Sequence, residues 1–139
     1  MATHQSRIEL QTQGHTDIQD ITASVQDAIT RSEIQTGMVN VMGVGSTLAI
    51  TTIEFEPGCC ADLRRALDVI APANDAYAHN ARWGDHNGYA HLRSSLLGTS
   101  QTFPVCGGQL GTGTWQQIIL CDFDDRPRNR EVIVTVYGD

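Results

Sequence analysis

The last third of the chain limits the fold most. Three runs rich in β-branched and apolar residues lie near 101–106, 114–123 and 131–137. Gly107-Gly108 separates the first two, and the charged turn Asp124-Asp125-Arg126-Pro127-Arg128-Asn129 separates the last two. Turn signals this close together join strands as hairpins, so the pairing is expected to be antiparallel.

Earlier segments mix strand and helix patterns. Residues 7–11 alternate polar and apolar, as a half-buried strand does. Val25, Ala28, Ile29 and Ser32 follow Thr22 at helical spacing, which predicts a helix over 22–34 with Thr22 as its N-cap. Residues 38–44 read as a strand buried on both faces, and 47–55 as a second strand. Leu63, Ala66, Leu67 and Ile70 place a helix near 60–70, after Pro57-Gly58. Residues 73–88 are polar and turn-rich. Asn87 then caps a short helix that runs to Leu97 and ends at Gly98. The expected fold is a single α+β domain over 1–139, sandwich-like, with antiparallel sheets and two or three short helices.

Composition narrows the partners. Nine Lys and Arg stand against 16 Asp and Glu, for a net charge of −7. Such a balance argues against non-specific nucleic-acid binding, which needs a basic face. No apolar run has the roughly 18 residues of a membrane helix, and the first residues lack a secretory pattern, so a cytoplasmic protein is expected. Cys59, Cys60, Cys106 and Cys121 form no C-x-x-C pair and read as reduced thiols.

The densest polar stretch is 77–95, which holds three of the five histidines. Asn87, His91 and Ser95 recur every four residues, so a helix would put them on one face. Leu92 and Leu96 mark another face, expected to pack on the core. The stretch reads equally as a capped surface helix or as a site, because imidazoles serve as metal ligands and as proton carriers. Glu54 sits on an apolar strand, either on a solvated sheet face or at a site. Gly45-Ser46-Thr47 is either an ordinary turn or a cradle for phosphate. Trp115, taken alone, reads as core.

Taken in order, several segments resemble the YjbQ-like family, also described as secondary thiamine-phosphate synthases. They are Gly45-Ser46-Thr47, Thr51–Gly58, Tyr77-Ala78-His79-Asn80, Gly84–Gly98 and Gly113–Ile118. The resemblance implies a homotrimer and a thiamine-phosphate synthase-like transferase acting on small phosphorylated metabolites. Its alternatives are a trimeric metal- or phosphate-ligand-binding protein and a metal-assisted phosphate-ester hydrolase. The implied catalytic set is His79, Asp85, His91 and Glu54. Ser46, Thr47, Asn87, Arg93, Thr114 and Gln116 are the implied phosphate contacts. A divalent metal is expected: Mg²⁺ on Asp85 and Glu54, or Zn²⁺ on His79 and His91, with Asp85 as a further candidate ligand. Many relatives carry a histidine where this chain has Gly45 or Ser46.

Overall fold

The computed structural model describes residues 1–139 as eight strands and four helices. Their order is β1 (Ala2–Thr12), β2 (Asp17–Asp20), α1 (Thr22–Ser32), β3 (Thr36–Gly43), β4 (Leu48–Ile53), α2 (Pro57–Ile70), α3 (Ala78–Trp83), α4 (Gly88–Leu97), β5 (Ser100–Cys106), β6 (Gln109–Leu110), β7 (Gln117–Asp122) and β8 (Arg128–Gly138). The fold is α+β, as expected. All strand pairing is antiparallel.

A five-stranded sheet has the order β1-β8-β3-β5-β6, and a three-stranded sheet the order β2-β7-β4. Neither hairpin expected of the C-terminal strands forms: Gly107-Gly108 joins β5 to the two-residue β6 instead of β7, and β7 lies in a different sheet from both β5 and β8. The charged turn between β7 and β8 carries the chain from one layer to the other.

The smaller sheet is buried on both faces. One face packs Ile50, Ile118 and Leu120 against Val39, Val41, Phe103, Val132, Val134 and Val136 of the larger sheet, with α1 closing that core. The other face packs Ala49, Ile119 and Cys121 against Cys60 and Leu67 of α2 and Tyr89 and Ala90 of α4. Double burial explains the unbroken apolar run Ile118–Cys121. The strand expected to be buried twice, β3, is not. Its Met38, Asn40 and Met42 face outward, while Val39 and Val41 face the core.

Helix ends are set by side chains on which the sequence was less explicit. The α1 start is held by Asp20, whose Oδ1 accepts from the Thr22 N–H at 3.0 Å and the Thr22 hydroxyl at 2.6 Å. Thr22 is therefore the first helical residue rather than the cap. The Glu56 carboxylate accepts from the Gly58 and Cys59 N–H groups at the start of α2. Those bonds lower the Glu56 pKa. Asn87 occupies the N-cap position of α4, but its side chain makes no cap bond. Asn80 of α3 does so instead, accepting from the Gly88 N–H at 2.9 Å. A Cβ on Gly88 would lie 2.7 Å from the Tyr77 Cβ, so glycine is what lets α3 and α4 approach this closely.

Candidate functional site

The half-buried His79 of α3 and His91 of α4 are brought together by that close approach. Their ring centroids are 4.5 Å apart, with the planes tilted by 47°. The Gly88 N–H identifies the Asn80 acceptor as the amide oxygen. His79 Nδ1 lies 3.4 Å from the same oxygen. A donor at Nδ1 fits that contact, and in the neutral ring such a tautomer presents the Nε2 lone pair to a ligand.

His91 also lines a cleft of about 440 Å³ with Gly45, Ser46, Ser94, Ser95, Gly98 and Thr99. The turn after β3 and the middle of α4 thus share one polar opening with no hydrophobic wall. The association of Ser46 with the histidine stretch was expected from sequence; the contribution of Thr99 and Ser94 was not. Ser94 is mostly buried, at the helix position just before the expected Ser95.

Other expected residues lie elsewhere. Arg93 is 2% exposed. Its Nε donates to the Ala71 carbonyl at 3.0 Å, Nη1 to Thr16 Oγ1 at 2.9 Å and Nη2 to Asp68 at 2.9 Å. Its guanidinium also stacks on Tyr89 and Phe123. Arg93 is therefore a strut joining α4 to α2 and to the β1–β2 turn, with no donor facing a ligand. The turn it braces holds Thr16 at φ 66°, a strained value for a β-branched residue. Thr47 is likewise buried: its hydroxyl donates to Asp124 Oδ2 at 3.1 Å and accepts from Arg130 at 2.6 Å. The phosphate role expected of these two residues is corrected.

Glu54 is exposed just past the end of β4, near the Cys59 thiol at 3.9 Å. The Glu56 side chain, followed by burial, pushes the Cys59 thiol up to about 11. Thr114 and Gln116 lie on the exposed loop before β7. The Thr114 carbonyl accepts from Gln117 at 2.8 Å, and the Gln116 side chain accepts from the Gly113 N–H at 3.0 Å. Trp115 on the same loop is 71% exposed, not core. Leu92 and Leu96 are also exposed; the core face of α4 is Tyr89, Ala90 and Arg93.

Asp85 and Asn87 belong to a second polar centre. They line a cavity of about 280 Å³ with Asp125, Arg126 and Arg128. No three His, Cys, Asp or Glu side chains converge as a metal site, so Asp85 does not join His79 and His91. Behind that cavity lies a buried ionic network. Asp122 is reached by Thr12 and by Arg130 through Nε at 2.6 Å and Nη2 at 2.9 Å. Asp124 accepts from Asn87 at 3.3 Å, Thr47, the Asp125 N–H at 2.8 Å and Arg128 at 2.9 Å. Burial opposes ionisation of both carboxylates, but these hydrogen bonds outweigh it and hold both below the ordinary range. Burial, then the Asp124 and Asp85 carboxylates, pushes Asp125 the other way. Asp122 and Asp124 were not picked out from sequence; Asp-Asp-Arg-Pro reads as a solvated turn.

Comparison with known proteins agrees with this fold. The family model described as UPF0047 protein YjbQ-like matches residues 6–139. A UPF0047 protein of Methanothermobacter thermautotrophicus is 38% identical over 138 residues, covering 99% of this chain and 94% of that protein. The crystal structure of a YbjQ-like protein of unknown function from Sulfolobus solfataricus superposes with a TM-score of 0.94 at 30% identity, covering 99% of each chain. A hypothetical protein from Aeropyrum pernix gives a TM-score of 0.90 at 27% identity over the full length of both. These relatives correct the expected activity: they are described as UPF0047 proteins or as being of unknown function, and none by thiamine-phosphate synthesis. The transferase and enzyme readings are withdrawn with it. What remains rests on length and register alike: the chain belongs to the YjbQ-like UPF0047 family.

Proposed function

We propose that the protein binds a divalent transition-metal ion of the Zn²⁺ type, with His79 and His91 as two of its ligands. The observation that carries this is the imidazole pair, 4.5 Å apart, with His91 on the wall of a polar cleft. Two imidazoles this close can turn their nitrogens toward one point at the roughly 2.0–2.1 Å of a Zn–N bond. Asn80 supports the same reading. Its oxygen faces His79 Nδ1, and an outer acceptor of this kind commonly orients a metal-binding imidazole. Imidazole also suits Zn²⁺ better than Mg²⁺, so of the two expected ions the softer one is favoured.

One chain offers two of the three or four protein ligands a zinc ion takes. The remaining positions fall to water, to a small polar ligand in the cleft beside Ser46 and Ser95, or to a neighbouring copy. The homotrimer implied by the family resemblance is kept as a proposal on that ground. Bound there, the ion would hold an oxygen donor of the ligand against the serine hydroxyls.

The test is calorimetric titration of Zn²⁺ into the chelator-stripped protein. Saturable binding is expected, weakened at least tenfold by His79→Ala and by His91→Ala and unchanged by Asp85→Asn. Unaltered Zn²⁺ binding by the double histidine variant would remove the proposal. Sedimentation as a 15.1 kDa particle would remove the trimer while leaving the two-histidine site standing.

A further inference from the structure

The cavity between the α3–α4 connection and the β7–β8 connection holds an unexplained atom. Asn87 is 7% exposed and forms part of the cavity wall. Its Oδ1 is buried and has no hydrogen-bond partner. Its Nδ2 donates to Asp124 Oδ1 at 3.3 Å, which fixes the orientation of the amide, since a flipped one would set oxygen against a carboxylate. The two ends of a carboxamide diverge. With Nδ2 turned to Asp124, which is not part of the wall, Oδ1 is turned away from it. A buried carbonyl oxygen without a donor calls for an unseen water or ion.

The rest of the wall indicates which. Asp85 and Asp125 supply two carboxylates, and neither takes part in a salt bridge. Asp85 accepts only from the His86 N–H, at 2.8 Å. Of the two guanidiniums in the wall, Arg128 is committed to Asp124 through Nε at 2.9 Å and Nη2 at 2.8 Å. Arg126 is exposed at the rim.

The wall is also braced. A Cβ on Gly14, at φ 79°, would lie 2.6 Å from the Asp124 carbonyl oxygen and 2.7 Å from that of Arg126. The His15 N–H donates to the Asp124 carbonyl at 2.7 Å. The β1–β2 turn thus clamps the segment that carries Asp125, and the Asp125 N–H is itself held by Asp124 at 2.8 Å.

We propose that this cavity binds Ca²⁺ through the Asp85 and Asp125 carboxylates and Asn87 Oδ1. An all-oxygen set that includes an amide carbonyl suits Ca²⁺, which takes six to eight oxygens in flexible geometry and completes its shell with water. Mg²⁺ demands a near-ideal octahedron and is the poorer match. The site is separate from the histidine pair and does not depend on it.

The test is calorimetric titration of Ca²⁺, and separately of Mg²⁺, into the chelator-stripped full chain, with thermal melts in parallel. Ca²⁺ binding with a rise in Tm is expected. Asp125→Asn and Asp85→Asn should each weaken it at least tenfold, while the double variant His79→Ala/His91→Ala should keep wild-type Ca²⁺ affinity. Asp85 is exposed, so its variant will fold and keeps the test decisive. No heat or Tm change at millimolar Ca²⁺ overturns the proposal. So does a stronger response to Mg²⁺, or an unaltered response in the Asp85→Asn/Asp125→Asn double variant.

Discussion

Two polar centres border α4, and they satisfy their polar atoms in opposite ways. Below its N-terminus, Asp122, Asp124, Thr12, Thr47, Arg128 and Arg130 are bonded to one another, and both carboxylates are at most 1% exposed. One turn along, His91, Ser46 and Ser95 line an open cleft, with His79 against His91 and most of their hydrogen-bonding capacity unused. Charge that is buried and fully partnered is architecture. It holds together two sheets that share no strand. Polar groups that converge and stay unpaired are what a ligand would need. The comparison locates the candidate Zn²⁺ site in the less charged of the two centres.

The largest effect should come from breaking the network. Asp124→Ala strands Arg128, removes the acceptor of the Thr47 hydroxyl and leaves the Asn87 Nδ2 without a partner, and is expected to cost about 3–5 kcal/mol in urea unfolding. His91→Ala, at a half-buried position, should cost less than about 1 kcal/mol. Equal costs would erase the distinction between the centres.

Acid should act on the same network. Asp122 and Asp124 titrate below their ordinary range when folded. Their contribution is therefore complete above the unfolded aspartate value of about 3.9 and is lost as pH falls from there toward the depressed folded values. Urea midpoints should fall steeply below about pH 4, and less steeply in Asp122→Asn. A flat profile would mean that the carboxylates are not ionised in the fold.

Gly88→Ala tests the seating of α3 on α4. The added Cβ meets Tyr77 and Asn80 at 2.7 and 3.0 Å. A loss of about 1–3 kcal/mol is expected, together with weaker Zn²⁺ binding as the histidines separate. Lost stability with unchanged Zn²⁺ affinity would uncouple the helix contact from the site. The smallest effect is expected at Trp115: exposed as it is, Trp115→Ala should change stability by no more than about 0.5 kcal/mol by thermal melt.

Much of the fold was legible because it follows from local pattern. The α1 helix, the β4 strand and the C-terminal strands lie close to where periodicity and β-branching put them. The α3 helix was not legible, since its six residues form too short a window for a helical period and have no buried member. Which strands share a sheet was also hidden: the Asp124–Asn129 turn is compatible with a hairpin, and only the packed layers decide against one. In the site, the His79–His91 pairing needed α3, so spacing along the chain could not show it. Arg93 failed as a ligand residue for a related reason. An arginine between a histidine and two serines reads as exposed, yet tertiary contacts with Thr16, Ala71 and Asp68 bury it. Asp122 and Asp124 were missed because their burial depends on strands and loops distant in sequence.

The claim that the histidine pair is the ligand site can be met directly by following the imidazole NMR signals of all five histidines while Zn²⁺ is added. The account predicts that His79 and His91 shift together and saturate at one ion per pair, while His4, His15 and His86 stay in place. Shifts led by His15 or His86, or spread evenly over all five, would contradict it.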